Sequence, residues 1–438
     1  MPDQTEPSLP ERLTALWDHL GQQRAHVATQ MPGDLAGFAA THRVAGVVLC
    51  VPSRLDPAPF ASVAARLLMI AGETGMTANV TARAAQRLPT AQRHVLNGYE
   101  APGWADVIAD RGEEIASRMI DFLRSHAADT PGVTAAEGTI AGVTWRREGN
   151  GPALVLLPFF LAPSQWHPAI LALTQHFTVI TLGGPHLGGI AALEDRARAP
   201  SYRAMVSALL DAMAPRPGER ILDVGCGSGA LDRLAARRFP GNPIVATDVN
   251  PFLQREASAL TQAAGLSDAI EFRPGNAEAL PFPDASFDCA FTVTVFEECD
   301  ADRALRELWR VLRPGGRAGV IVRAIDLPQW WNLPLPDALR ARAETPPQSV
   351  SARGVADASL YRRMRAAGFD NLVCFPSLVT LDRPDGPIWH YRQDHVLSLL
   401  TPEETATWHA LTEAARRVGV LMMAHPMHCA VGVKRAGV

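Results

Sequence analysis

Long apolar runs are missing from this 438-residue chain: stretches such as Ala153 to Leu161 fall far short of a membrane span, so no transmembrane helix is expected. The opening residues are too acidic and proline-rich for a secretory leader, and a cytoplasmic location is the resulting expectation. Cysteine is sparse and scattered. Cys50, Cys226, Cys289, Cys299, Cys374 and Cys429 include no C-x-x-C pair, which argues against a zinc site or a disulfide framework, and no metal is expected. Basic residues are dispersed and the net charge is only −4, so neither nucleic acid nor an acidic membrane surface is an expected partner. What the chain does have is apolar bulk. At 47% hydrophobic residues it can bury a core in each of the two or three domains that its length implies.

The stretch Arg220 to Ala230, RILDVGCGSGA, organises the rest. Ile221, Leu222 and Val224 suit a short buried parallel strand, Gly225, Gly227 and Gly229 follow at alternate positions, and a helical pattern opens at about Ala230. A strand that ends in a glycine turn and opens a helix leaves backbone N–H groups facing a crevice at the carboxyl edge of a sheet. Asp223 lies inside the strand end, and Asp248 closes the next strand, Ile244 to Asp248, where an acid can accept ribose hydroxyls. Gly225, Gly227 and Ala230 also satisfy G-x-G-x-x-G/A, which keeps a nicotinamide cofactor as an alternative. Asp223 argues against it, since a carboxylate there attracts a positive ligand end, such as the amino group of a methionine moiety, and repels a pyrophosphate.

In chain order, residues 1–130 read as an accessory domain with a helix from Glu11 to Gln22, a strand Val44 to Val51, and helices near Phe60 to Ala71 and Asp110 to His126. The polar stretch Ala127 to Gly138 reads as a linker. Residues 131–200 read as a separate βαβ segment, with strands Ala153 to Leu157 and Phe177 to Leu182 around a helix. From 201 to 438 apolar strands alternate with helices, which predicts a doubly wound α/β sheet. Proline-broken insertions follow the fifth strand and precede the last.

Two resemblances bear on function. The segment GNGPALVLLPFFLAPSQWHPAILALTQHFTVITLGGPHLGG resembles the opening of an α/β-hydrolase, but the chain has no G-x-S-x-G elbow, so the segment is expected to be structural. The second covers the chain from about Ser201. There, ILDVGCGSGA, VATDVN, GNAEALPFPDASFDCAFTVTVFEE and LRELWRVLRPGGRAGVIV together resemble the class I S-adenosylmethionine-dependent methyltransferases, particularly the ubiquinone and menaquinone biosynthesis enzymes. That resemblance implies a Rossmann-like seven-stranded sheet with an antiparallel last strand, S-adenosylmethionine as cofactor, and methyl transfer to a small-molecule oxygen, nitrogen or carbon nucleophile by in-line displacement.

Carried over by position, Asp223, Gly225, Cys226, Gly227 and Gly229 would hold the methionine end, Asp248 the ribose, and Val249 would flank the adenine. Asn276 and Ala277 would meet the adenine edge; the family most often has aspartate at the first of these, and the amide oxygen can still accept from the adenine amino group. Thr292 and Val293 would line the methyl-donor end. Phe296, Glu297 and Glu298 follow the fourth strand where an acceptor should enter, with Glu298 a candidate general base and Asp300 a candidate helix cap. Trp330 and Trp331 fit either a lid over a flat acceptor or a core anchor. His425 and His428 are further candidate bases or packed residues, His428 being the one selected for catalysis. A nicotinamide oxidoreductase, or a cofactor-binding sensor or scaffold without turnover, are the alternatives, and the accessory region leaves a homo-oligomer open.

Overall fold

The computed structural model describes residues 9–435 apart from 36, 53, 101–105, 133, 185–186 and 383–386. The chain divides into two compact units, Met1–Ala192 and Leu193–Val438.

The first unit carries α1 (Leu9–His19), β1 (Ala25–Thr29), β2 (Val44–Cys50), β3 (Leu67–Thr74), α2 (Gly75–Arg87), β4 (Gln92–Glu100) and α3 (Val107–Leu123). It continues through β5 (Glu137–Ile140), β6 (Val143–Glu148), β7 (Ala153–Leu156), α4 (His167–Thr174), β8 (Thr178–Gly183) and the start of α5 (Gly188–Arg198). All eight strands form one sheet in the order β4-β3-β2-β1-β7-β8-β6-β5, parallel from β4 to β8. The expected boundary at residue 130 is therefore not a domain boundary: β1 pairs in parallel with β7, across it. The expected linker is stitched into the same unit, with Asp129 accepting from the Gln23 and Arg24 N–H groups. Its carbonyl accepts in turn from Ala153. The helix expected over Phe60 to Ala71 is a 3-10 segment, Ala58–Arg66, followed by β3. Leu67 to Ala71 is buried along its whole length, and a short, uniformly apolar run does not distinguish strand from helix by period.

The second unit opens with α6 (Pro200–Met213) and runs β9 (Ile221–Val224), α7 (Ala230–Arg238), β10 (Ile244–Asp248), α8 (Pro251–Ala263), β11 (Ile270–Pro274), β12 (Phe287–Val293), α9 (Ala301–Val311) and β13 (Leu312–Arg323). Then come β14 (Trp330–Trp331), α10 (Asp337–Ala343), α11 (Ser359–Ala366), β15 (Phe369–Leu381), α12 (Pro387–Leu399), α13 (Pro402–Arg417) and β16 (Met423–Lys434). Strands β11-β10-β9-β12-β13 are parallel, and β16 lies antiparallel between β13 and β15. This is the expected seven-stranded doubly wound sheet, with the two-residue β14 as an eighth member. β15, with Pro376 in its middle, forms one edge.

The two insertions share a satellite core, in which Trp331 of β14 makes edge contacts with Trp389 of α12 and Trp408 of α13, at 5.2 and 4.8 Å between centroids. Among the described residues no helix is long and apolar enough to cross a membrane.

Candidate functional site

The strand order reverses at β9, where β10 and β12 lie on either side, and the crevice opens at their carboxyl ends. After Val224 the chain turns over β10: Gly225 and Cys226 both donate to the Thr247 carbonyl, at 2.7 and 2.9 Å. Gly225 has φ +83°, and a Cβ there would lie 2.2 Å from Val295 Cγ2, so both conformation and space demand glycine. The Gly227 N–H donates to Asp248 Oδ2 at 3.0 Å, and Asn250 N–H to Asp248 Oδ1 at 2.9 Å, which leaves each carboxylate oxygen a further lone pair. Asn250 in turn caps α8 through the Phe252 N–H.

Three acids are buried beneath this loop: Asp223, Asp248 and Asp232 of α7. Burial, then the neighbouring Asp232, raises Asp223 well above the usual carboxylate range, and burial raises Asp248. Asp232 is pushed up to about 7, again by burial, against the opposing effects of its hydrogen bond with Asp223 and the charge of Arg233. Three clustered carboxyls, whose one nearby cation Arg233 is itself paired with Glu194, suit a cationic ligand end and repel an anionic one. The sequence reading missed Asp232. Its signal was an acid and an arginine, Asp232 and Arg233, side by side in the first turn of a short helix after the glycine loop. Arg233 donates twice to Glu194 at 2.7 Å, and the Ser228 hydroxyl reaches the same carboxylate at 2.5 Å, so the end of α5 clasps the loop.

The other expected site residues divide. Cys226 is buried, with its thiol pushed well up, and packs in the core. Val249 stands 73% exposed beside Asp248. Ala277 is buried, while Asn276 is exposed and its amide oxygen accepts from the Glu278 N–H, so that oxygen serves a local turn. Thr292 does not line the crevice: it is fully buried and its hydroxyl donates to the Val224 carbonyl at 2.8 Å, tying β12 to β9, and Val293 beside it packs in the core. Phe296 is likewise a core residue, packed with Val355 and Leu360 and not available to a substrate. Asp300 caps α9 through the Arg303 N–H.

Glu297 points inward. It is 1% exposed, with one oxygen accepting the Arg323 N–H at 2.8 Å and the other without a partner, and burial pushes it up to about 7. Glu298 lies at the rim, also raised by burial, with Arg323, Asp248 and Arg196 as its charged neighbours. The tryptophan pair is split by strand alternation: Trp330 is 43% exposed and Trp331 is a buried anchor whose indole N–H donates to Ala343, not a lid.

The two histidines differ in their surroundings. His428 has both ring nitrogens engaged, Nδ1 with Tyr361 Oη and Nε2 with Asp326 Oδ1, each at 2.8 Å, so it bridges those two side chains. His425 is buried with both nitrogens unpartnered, and burial, with Arg392, Arg196 and Arg323 nearby, holds it neutral. Tyr202 of α6 joins this neighbourhood, its ring under the Arg196 guanidinium at 5.0 Å and its hydroxyl pushed up by burial, with Glu297 and Asp223 contributing.

A family model described as a methyltransferase domain matches residues 222–320, the stretch that builds this crevice. The ubiquinone/menaquinone biosynthesis C-methyltransferase of Serratia proteamaculans is 30% identical over 189 residues, 38% of this chain and 72% of that protein. The protein of the same name from Hahella chejuensis is 36% identical over 145 residues, 30% of this chain and 58% of that one. An uncharacterised 37.1 kDa protein of Streptomyces fradiae is 34% identical over 196 residues, 44% of this chain and 54% of that one. The chain thus spans little more than half the length of the last two. Among solved structures it is similar to the YcgJ protein of Bacillus subtilis at 21% identity, with 54% of this chain and 100% of that one covered and a TM-score of 0.39. The chain belongs to the class I S-adenosylmethionine-dependent methyltransferases.

Proposed function

We propose that this protein transfers a methyl group from S-adenosylmethionine to a nucleophilic oxygen, nitrogen or carbon of a small molecule. The observation that carries the reading is the glycine turn at Gly225–Gly229, held by Asp248, over the buried acids Asp223 and Asp232. That donor set fits the cofactor: Asp223, buried among other acids, suits an ammonium group, and the open lone pairs of Asp248 suit ribose hydroxyls. A dinucleotide fits poorly, because its pyrophosphate would face three acids.

When bound, the cofactor supplies a methyl already activated on a sulfonium. The chain's work is then to hold, orient and keep water away. Asp223 binds the amino end, Asp248 the ribose, and Val249 presents an apolar wall to the base. Glu298, at the rim and raised by burial, takes the proton when the acceptor nucleophile must lose one. His428, tied on both sides, takes no part.

Calorimetry of the full chain against S-adenosylmethionine, S-adenosylhomocysteine and NAD, with Asp248→Ala as control, tests the reading. Binding of the first two, weakened in the variant, is expected. Binding of NAD alone, or of none of the three, would sink it.

A further inference from the structure

The second unit contains a cluster of cations that the cofactor reading does not use. Arg196 comes from the end of α5, Arg323 from the end of β13 and Arg392 from α12, and all three act electrostatically on His425 of β16. Arg392 is only 5% exposed. One of its terminal nitrogens donates to Gln329 Oε1 at 3.1 Å, its Nε is buried without a partner, and no carboxylate among the described residues pairs with it. Arg196 also has a buried, unpartnered Nε, and its guanidinium lies over Tyr202. Arg323 has the nearest acid, with its Nε 3.6 Å from Glu297, while its terminal nitrogens turn to Ser349. His425, itself 5% exposed, has two ring nitrogens with nothing to bond.

A buried cation without a counter-ion is expensive, and here burial and then Arg323 depress Arg392 to about 10. Gln329 satisfies one nitrogen of that guanidinium and leaves the fork open, the arrangement that accepts an oxyanion through two parallel N–H bonds. Glu298 feels both Arg323 and Arg196 of the cationic cluster and Asp248 of the cofactor acids, so the two groups share it as a neighbour. The acids suit a positive ligand end and the arginines a negative one.

We propose that Arg196, Arg323, Arg392 and His425 form an oxyanion subsite that holds a carboxylate or phosphate of the methyl acceptor. That the ligand is the acceptor rests on the methyltransferase reading; that it is an oxyanion rests on the arginines alone. The carboxylate of the cofactor's methionine has the same chemistry and is the competing source.

The test uses the full chain saturated with S-adenosylhomocysteine, titrated with sodium phosphate or sodium acetate against sodium chloride at equal ionic strength, with the melting temperature as readout. Wild type should be stabilised by phosphate, acetate or both, and whichever acts names the anion. Arg392→Met and, separately, Arg196→Met should weaken that anion's apparent affinity by about tenfold or more. Arg392→Met should melt no lower than wild type in chloride, because it removes an uncompensated buried charge. Its affinity for S-adenosylhomocysteine should stay within about threefold of wild type, since the subsite serves the acceptor. No stabilisation of wild type by either anion overturns the subsite. A loss of S-adenosylhomocysteine affinity of about tenfold or more in Arg392→Met assigns the cluster to the cofactor and overturns the acceptor. Failure of wild type to bind S-adenosylhomocysteine defeats the methyltransferase reading instead, and anion stabilisation measured without it still decides the oxyanion site.

Discussion

The main-chain N–H of Gly227 donates to Asp248 Oδ2 at 3.0 Å, so the turn that follows one strand is pinned by the acid that ends its neighbour. Asp248→Ala removes the acceptor for both Gly227 and Asn250. It should lower stability by about 1–3 kcal/mol in urea denaturation and weaken S-adenosylhomocysteine binding by about tenfold or more, with Asp248→Asn intermediate in both.

Gly225 faces two obstacles to substitution: its φ of +83°, and a Val295 methyl that would lie 2.2 Å from any added Cβ. Gly225→Ala should cost about 2–4 kcal/mol by calorimetric melting. Adding Val295→Ala relieves only the clash, so the double variant should recover part of the loss; complete recovery would show that backbone conformation contributes nothing.

Glu297 gives a pH dependence with a definite sign. Burial raises it from 4.5 to about 7, so the folded chain keeps a proton that the unfolded chain has already released. Its contribution to stability is complete below about pH 4.5 and is lost as the pH rises through about 7. Glu297→Gln, whose amide oxygen still accepts from Arg323, should match wild type at the acid end. It should exceed wild type by on the order of 2–3 kcal/mol near pH 8 in denaturant titrations. Parallel wild-type and variant curves across that range would refute the assignment.

His428 bridges Tyr361 and Asp326. His428→Ala should destabilise the chain by about 1–3 kcal/mol by stranding both partners, while turnover per folded molecule stays near wild type. A hundredfold fall in kcat with an intact fold would restore His428 to the chemistry.

The tryptophans should separate cleanly in denaturant melts. Trp331→Ala, which empties the satellite core, should cost about 3–5 kcal/mol, and Trp330→Ala about 0.5 kcal/mol or less.

The legible parts of the site were those contiguous in sequence. Strand, glycine turn and helix over Arg220–Ala230, and the acid ending the next strand, declare themselves because apolar run, turn chemistry and helix start follow one another directly. Strand alternation also held information that the sequence reading left unused. His425 and His428 are an odd number of residues apart on β16, so they face opposite sides of the sheet and cannot share a site; Trp330 and Trp331 divide for the same reason. Residues 196, 323, 392 and 425 carry no such mark. They belong to four elements with no common spacing, and only the crossover connections and the shared insertion core bring them together. The parallel pairing of β1 with β7 escaped for a similar reason, since more than a hundred residues separate partners that look locally self-sufficient.

Pro376, in the middle of the edge strand β15, has a further consequence. Its nitrogen carries no hydrogen, and proline sits within a strand only where that nitrogen faces away from the ladder. The outer rim of β15, which also exposes Val373 and Leu378, therefore has a gap in its row of donors, and a second copy adding its own strand would meet an unanswered carbonyl at that point. An otherwise sticky, 13-residue border is interrupted by a built-in guard against sheet-to-sheet growth.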